Sequence, residues 1–190
     1  ITSQMNTDTK SSLLMHKLFN HYKENFKYTE ILKAVIEQKS IISLRMLDWF
    51  VTNYSKRNNI YYTLGDTLFN VHFNYKNQLK AFSKKLFDPF CRRQRVFLYI
   101  HDDKLIKWSD SLEDHDSKTN VIVTTIGQMN FFKWAIYNNV LNYVIKNNND
   151  IELDMVQRSN NRKKDGKRTI ISTPTNGFVT KNAISGVIKW

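Results

Sequence analysis

The chain has 190 residues, 41% of them hydrophobic and 13% aromatic, which is enough for one domain with an aromatic core, or one domain with a tail. Its net charge of +12 favours an anionic partner, such as nucleic acid, an acidic protein or a charged membrane surface. A single cysteine excludes an internal disulfide, and no apolar run approaches the ~18 residues that a bilayer-spanning helix needs.

Helical periodicity dominates the first third of the chain. The polar residues 1–10 predict a disordered start, and apolar residues that recur every four positions predict a helix from Ser12 to about Asn25. Thr29 and Ser43 are typical N-caps, and each is predicted to start a further helix at the residue that follows it. The chain begins without Met, which fits a fragment of a longer protein.

The hydrophobic period changes to two after residue 60. Two short strands are predicted around Gly65–Asp66, and alternation of the side chains predicts that the second strand continues through residues 69–75. Helical spacing returns over residues 77–87. Asp88–Pro89 is expected to end that helix, because the residue before a proline avoids the helical region.

Strands and helices alternate in the next part of the chain. Residues 95–100 and 121–125 predict buried strands, and the polar, acidic stretch between them predicts a hairpin or a loop. Thr125 and Gln128 have the spacing of a capping box, in which the Gln128 side chain would reach back to the cap amide. They start the clearest helix of the chain, which is predicted to continue to residue 144.

The last part of the chain is strongly basic. Residues 158–190 contain eight Lys and Arg against one acid, Asp165, and so contribute +7 of the net charge of +12. Residues 162–168, with Asp-Gly at their centre, predict an exposed basic turn, and residues 169–173 and 177–180 could pair as short strands.

Helices first, followed by alternating strands and helices, favour an α+β fold. We expect N-terminal helices, then a small mixed or antiparallel sheet with packed helices, and a basic C-terminal segment. The predicted division of the chain is a disordered start over 1–10, an α+β domain over 11–157 and the basic segment over 158–190, which could also form a hairpin of the same domain.

Cys91 lies beside three arginines, which would lower the pKa of its thiol and favour the reactive thiolate. His72 or His101 could in principle serve as its base. However, the phosphatase pattern of Cys, five residues and then Arg is not met, because the sixth residue after Cys91 is Phe97. A small buried residue at the start of a strand is the favoured interpretation, and no catalytic residue is assigned.

Acidic residues and histidines over residues 101–116 could hold a divalent metal, yet they do not match the calcium-loop pattern. Asp102 and Asp103 follow a strand, which leaves a metal-dependent nuclease open as an alternative, although a solvated acidic loop is favoured. With only five glycines the chain has no Walker A or dinucleotide-binding loop. We therefore expect no cofactor and assign no metal ligand.

Basic residues are the strongest positive feature of the sequence, because lysine and arginine can follow a phosphate backbone and arginine adds bidentate contacts. An ordinary solvated surface is the alternative. Tyr61, Tyr62 and Trp108 could stack on bases if they are exposed. The candidate nucleic-acid-binding residues are Lys80, Lys84, Lys85, Arg92, Arg93, Arg95, Arg162, Lys163, Lys164, Lys167 and Arg168.

Three blocks of the sequence, residues 43–58, 69–93 and 124–144, resemble poorly characterised proteins of large nucleocytoplasmic DNA viruses, including the iridovirus-type immediate-early group. The resemblance implies a viral protein that is made in the cytoplasm or viral factory of an infected cell. It also allows the protein to be packaged in the virion. It supplies no catalytic residues.

Charge and resemblance together predict a non-enzymatic viral protein that associates with nucleic acid in genome organisation, replication or transcription. The alternatives are a virion structural or scaffold protein that binds other viral proteins, and a metal-dependent nuclease.

Overall fold

The computed structural model describes the backbone of residues 2–171 and the side chains of residues 10–161. The chain divides into two compact units, and the first, Ile1–Met155, contains every element except the greater part of the last helix. In chain order the elements are α1 (Thr2–Glu24), α2 (Phe26–Ile36), α3 (Leu44–Trp49), a π-helical turn (Phe50–Tyr54), α4 (Ser55–Arg57), β1 (Tyr61–Leu64), β2 (Thr67–Asn70), α5 (Val71–Leu86), β3 (Arg95–His101), β4 (Lys104–Ser109), β5 (Asn120–Thr125), α6 (Ile126–Tyr137), α7 (Val140–Lys146) and α8 (Asn148–Ile171).

The strands form two small antiparallel sheets. β1 and β2 make a hairpin around Gly65, whose positive φ of 57° suits glycine. The second sheet has the order β4-β3-β5, with β3 antiparallel to both neighbours, so that Leu98 lies opposite Trp108 on one side and Ile122 on the other. The α+β prediction is therefore confirmed, and within the described residues the sheets are antiparallel.

Aromatic side chains dominate the core, and α6 lies at its centre. Phe131 and Phe132 of α6 are fully buried, and Phe131 packs against Phe87 with 5.5 Å between ring centroids. Tyr22 of α1 is also fully buried and donates its hydroxyl to the Met129 carbonyl at 2.8 Å. Burial raises the pKa of Tyr22, because the phenolate would have to form away from water. These contacts pack α1 against α6.

Two of the predicted helix caps are confirmed and one is wrong. The hydroxyls of Ser43 and Thr125 each accept a hydrogen bond from the amide three residues on, at 3.1 Å in both cases. Thr29 is instead a buried residue within α2, and its hydroxyl donates to the Tyr22 carbonyl at 3.1 Å. The helix α1 begins at Thr2 and not at Ser12. The predicted division of the chain at residues 10 and 158 stays a prediction.

Residues 71–75 are helical, so the prediction of a strand there is wrong. Asn70 caps α5 by accepting a hydrogen bond from the Phe73 amide at 2.9 Å. Val71 and Tyr75, four residues apart, are buried on one side of the helix, whereas Phe73 between them is 67% exposed. An alternating pattern also contains the four-residue spacing of a helix, and the cap at Asn70 selects the helix.

The helix that starts at Thr125 is shorter than predicted. It ends at Tyr137, and Asn139 adopts a left-handed conformation with φ 55° before α7 begins. The backbone of α8 is helical through residues 162–168, so the turn predicted there is wrong. Of the predicted strand pair, residues 169–171 belong to α8, and the rest lies outside the described residues. Among residues 2–171, no helix combines the length and the apolar character needed to cross a bilayer.

His21 gives the core a dependence on pH. Its side chain is 8% exposed, its ring stacks on Tyr28 at 5.4 Å, and its Nε2 has no hydrogen-bond partner among the described residues. Burial lowers the pKa of His21 from 6.5, the positive charge of Lys133 lowers it further, and Glu24 opposes both effects. The folded protein therefore holds His21 neutral where the unfolded chain would protonate it.

We expect the free energy of unfolding to fall as the pH drops below about 6.5, since the unfolded chain then binds a proton that the folded protein resists. His21→Phe, which keeps an aromatic ring in place but cannot titrate, should show a shallower decline in denaturant unfolding between pH 7.5 and 5.0. His115→Gln, at an exposed position, is the matched control and should decline as the wild type does. A His21→Phe protein that declines as steeply as the wild type would contradict this prediction.

Candidate nucleic-acid interface

The segment between α5 and β3, residues 87–94, is seated on the first turn of α6, and we call it the arginine loop. Four hydrogen bonds hold it and the residue before it. Gly127 accepts from the Asp88 amide at 3.3 Å, and the Gln128 side chain donates to the Pro89 carbonyl at 2.9 Å. Thr125 donates its hydroxyl to the Cys91 carbonyl at 3.2 Å, and the Asn130 amide donates to the Leu86 carbonyl at 2.9 Å. Gln128 thus binds the loop instead of completing the predicted capping box.

A close approach between Gly127 and Cys91 completes the seating of the loop. A Cβ atom at Gly127 would lie 2.9 Å from the Cys91 Cβ and 3.2 Å from both the Cys91 Sγ and the Lys85 carbonyl oxygen. Real Cβ atoms do not approach so closely, because the interior is packed to its van der Waals limits. Only glycine fits at this position without a shift of the loop.

Cys91 is half-buried in the arginine loop, four residues before β3 begins, so the expected buried position at the start of a strand is wrong. Its Sγ lies 3.3 Å from the Lys85 carbonyl oxygen and 3.5 Å from that of Arg93, at hydrogen-bonding distance for sulfur. The candidate bases have other partners: His72 Nδ1 lies 3.0 Å from the Val51 carbonyl, and His101 Nδ1 lies 3.2 Å from the Thr119 hydroxyl. Cys91 thus joins the end of α5 to the second half of the arginine loop.

The predicted basic residues of α5, the loop and the start of β3 follow one another along this part of the chain, and we call them the basic cluster. All of them are exposed, and none forms an ion pair within 4 Å with a carboxylate of residues 10–161. The Cys91 contacts hold Lys85 near Arg93, and Arg95 opens β3 opposite Thr125. The basic cluster consists of Lys80, Lys84, Lys85, Arg92, Arg93 and Arg95.

Two carboxylates offset the cluster at one end. Asp88 accepts a hydrogen bond from the Phe90 amide at 2.7 Å and stabilises the turn of the loop. Burial raises the pKa of Asp48 above its usual range, the negative charge of Asp88 raises it further, and Lys84 lowers it. The positive charge of Lys84 therefore acts on Asp48.

The backbone is strained at two positions within the span of the basic cluster. Ser83 interrupts α5 with φ 60° and ψ 167°, and Gln94 adopts φ 54° directly before β3. Conformations of this kind cost on the order of 1–3 kcal/mol each in a residue other than glycine, so the surrounding contacts must hold them.

The remaining basic candidates, Arg162, Lys163, Lys164, Lys167 and Arg168, lie on the backbone of α8, and their side chains are outside the described residues. Their predicted role in binding stays a prediction.

The candidate stacking residues differ in exposure. Tyr61 is 57% exposed on the β1–β2 hairpin. Tyr62 stacks on Tyr143 at 5.6 Å and donates its hydroxyl to the Asn138 carbonyl, so it is part of the packing. Trp108 is partly buried and meets His16 edge-on at 5.6 Å. Of the three, Tyr61 has the most open ring.

The acidic stretch forms local contacts. Asp102 and Asp103 make the turn between β3 and β4, with φ 48° and 54°. Lys107 pairs with Glu113 at 2.7 Å and lowers the pKa of that carboxyl through the hydrogen bond. In the part of the chain that the structure describes, no group of three or more His, Cys, Asp and Glu side chains could hold a metal ion.

A cavity of about 640 Å³ between α1, α5 and α6 was missed by the sequence analysis, and we call it the lysine groove. Lys10, Lys17 and Lys133 lie along it beside apolar and aromatic side chains. Lys10 and Lys17 are seven residues apart in α1 and therefore lie on one side of that helix. This spacing is the one signal in the sequence from which part of the groove could have been predicted. Lys133 could not have been connected with them, since it comes from a distant part of the chain.

The fold and the site define a basic α+β protein with an exposed cationic loop and a lysine-lined groove beside it. The chain belongs to the family of unknown function DUF7197, whose model matches residues 2–183. It is 39% identical over 160 residues to the uncharacterized protein L507 of Acanthamoeba polyphaga mimivirus, an alignment that covers 81% of this chain and 57% of that protein. The chain thus spans little more than half the length of this relative.

These matches confirm the expected resemblance at the level of a poorly characterised giant-virus family and support a viral origin. Neither match names the iridovirus-type immediate-early group. No solved structure matches the chain.

Gly127→Ala should displace the arginine loop, because the new Cβ cannot lie 2.9 Å from the Cys91 Cβ. We expect a loss of about 1–3 kcal/mol in the free energy of unfolding, as for other overpacked sites. We also expect faster reaction of Cys91, the single cysteine of the chain, with a thiol reagent.

Gly65→Ala is the matched control for this variant. A Cβ at Gly65 meets no atom within 4 Å, so its cost is confined to the left-handed backbone and the Cys91 reaction rate should not change. Equal thiol reaction rates in Gly127→Ala and the wild type would contradict the proposed seating of the loop.

Proposed function

We propose that this viral protein associates with nucleic acid without catalysing a reaction, and that the basic cluster contacts the phosphate backbone. The observation that carries the proposal is the set of exposed cations, unpaired within residues 10–161, on the arginine loop, the adjoining end of α5 and the start of β3. The cellular process would be genome organisation, replication or transcription.

Cations on such a surface bind nucleic acid largely by releasing condensed counterions from the phosphates. Arginine adds bidentate hydrogen bonds to a phosphate, and Arg92, Arg93 and Arg95 would supply them. The net charge of +12 would accelerate the encounter with any polyanion. We propose the predicted cations of residues 162–168 as a second contact on the same polymer.

Relationship to a mimivirus protein supports a place in the giant-virus infection cycle. The proposed location is the cytoplasm or viral factory of the infected cell, with packaging in the virion as a further proposal.

A viral protein partner is the second candidate, in a structural or scaffold role. It is favoured by exposed apolar side chains on the β1–β2 hairpin and the start of α5. Leu68 is 71% exposed opposite Thr63, on the same face as Tyr61, and Phe73 is 67% exposed. Assembly with virion proteins that persists after nuclease treatment and in high salt would support this candidate over nucleic-acid association.

The salt dependence of nucleic-acid binding tests the leading proposal. For about six phosphate contacts, the logarithm of the association constant for duplex DNA should fall with the logarithm of the salt concentration with a slope of about −5. A variant that replaces four cations by glutamine should bind more weakly and have a slope smaller by about 3.6. Its substitutions are Lys84→Gln, Lys85→Gln, Arg92→Gln and Arg93→Gln.

A control variant should lose the same charge elsewhere on the surface and keep a slope close to that of the wild type. Its substitutions, all at exposed positions, are Lys27→Gln, Lys56→Gln, Lys104→Gln and Lys118→Gln. Filter binding between 50 and 200 mM salt, a range over which the Debye length falls by about half, measures all three slopes. A flat wild-type slope, or equal losses in the two variants, would refute the role of the basic cluster.

A further inference from the structure

The lysine groove has the size and lining of a ligand site. Its volume of about 640 Å³ lies within the range of roughly 300–1,000 Å³ that is typical of small-molecule pockets. Apolar walls come from three helices: Leu13 and Leu14 of α1, Phe82 of α5 and Trp134 of α6. Leu13 is 59% exposed, so this apolar surface is open to solvent in the structure.

Among the side chains of residues 10–161, the charges along the groove are of one sign. Lys10, Lys17 and Lys133 line it, and no carboxylate of that range does. Lys10 donates to the Ala81 carbonyl at 3.3 Å and so joins α1 to α5 while keeping its positive charge. An anionic occupant is therefore favoured by charge complementarity.

Tyr137 gives the groove an aromatic platform. Its side chain is 60% exposed, and its ring is backed by His21 at 5.3 Å and by Tyr28 at 6.4 Å. These two contacts hold the ring, while most of its side chain stays open to solvent. A base can stack on such a ring whatever its identity, because every base has a π-face. Trp134 does not serve in this way, since it is buried and its indole N–H donates to Asn74 at 2.7 Å.

Two amide side chains supply polar groups beside this platform. Asn130 uses its NH₂ group on the Leu86 carbonyl, and its own carbonyl oxygen has no partner among the described residues. Gln78 forms no side-chain hydrogen bond in that part of the chain. Amides of this type can pair with the hydrogen-bonding edge of an unstacked base.

The groove adjoins the basic cluster along α5. Phe82 lines the groove, and Lys84 of the cluster follows two residues later, after the break at Ser83. The Phe82 ring stacks on Phe87 of the arginine loop at 6.4 Å. A polyanion on the cluster would therefore have the groove beside it.

We propose that the lysine groove receives an unpaired base of a single-stranded nucleic acid, an inference that rests on the proposed function. Tyr137 stacks on the base, Gln78 and Asn130 face its edge, and the lysines contact the adjoining phosphates. An aliphatic anion would contact the lysines and the apolar walls, but it would neither stack on Tyr137 nor pair with the two amides. A nucleotide can contact all of these groups, so it fits the lining better. Because a duplex keeps its bases stacked and paired, the groove confers a preference for single strands.

Fluorescence anisotropy with a labelled oligonucleotide, single-stranded or annealed to its complement, tests the inference. Tyr137→Leu should lower the affinity for the single strand by about 5- to 150-fold, the range expected for one lost stacking contact. Its affinity for the duplex should not change, which also shows that the variant is folded. Tyr137→Phe, which keeps the ring, should retain single-strand affinity, and Phe73→Leu is the control at an exposed aromatic side chain that does not line the groove.

The outcomes separate this inference from the proposed function. Salt-dependent duplex binding through the basic cluster, with no preference for single strands and no effect of Tyr137→Leu, would overturn the inference and leave the proposed function standing. Absence of binding to either oligonucleotide would overturn both. Binding of a medium-chain fatty acid that depends on Tyr137, with unchanged single-strand affinity in the variant, would assign the groove to an anionic amphiphile and also overturn the inference.

Discussion

The contact between Gly127 and Cys91 is the constraint on which the candidate site depends. It lets the arginine loop lie directly on the first turn of α6, where four hydrogen bonds then hold it and Leu86 before it. Without that seating, the cations of α5 and those before β3 would have no fixed relation to one another. Placing like charges together costs electrostatic energy, but the cost is small at exposed positions because water and salt screen them.

The helix α6 supports both surfaces that the proposals use. Its first turn binds the arginine loop, while Lys133, Trp134 and Tyr137 in its second half face the lysine groove. Its middle is fixed in the core by Phe131 and Phe132 and by the Tyr22 hydrogen bond to Met129. Binding groups on a rigid, buried helix keep their geometry better than groups on a free loop. The arginine loop, which ends at the strained residue Gln94, becomes part of such a platform only because its packing on α6 holds it.

Local signals in the sequence predicted most elements correctly. Ser43 and Thr125 start helices because a hydroxyl can bond an amide three residues away, and this needs no distant contact. The strand predicted at residues 71–75 is wrong. The alternation there fits both the two-residue period of a strand and the four-residue spacing of a helix, and the cap at Asn70 selects the helix. The helix predicted to continue through residue 144 is interrupted at Asn139. The left-handed conformation of that residue cannot be predicted from the hydrophobic pattern. The basic residues 80–95 were found by composition, whereas the lysine groove was not.

The sequence by itself determined the α+β class, the aromatic core, the sign of the charge and the resemblance to giant-virus proteins, since each depends on residue type and on spacing along the chain. Only the tertiary structure decided that Cys91 lies between the backbone carbonyls of Lys85 and Arg93, and that Lys10, Lys17 and Lys133 share one groove. The physical reason is that these arrangements depend on packing between segments far apart in the chain. Periodicity reports which face of a helix is buried, but not which partner covers it or where the loops are held.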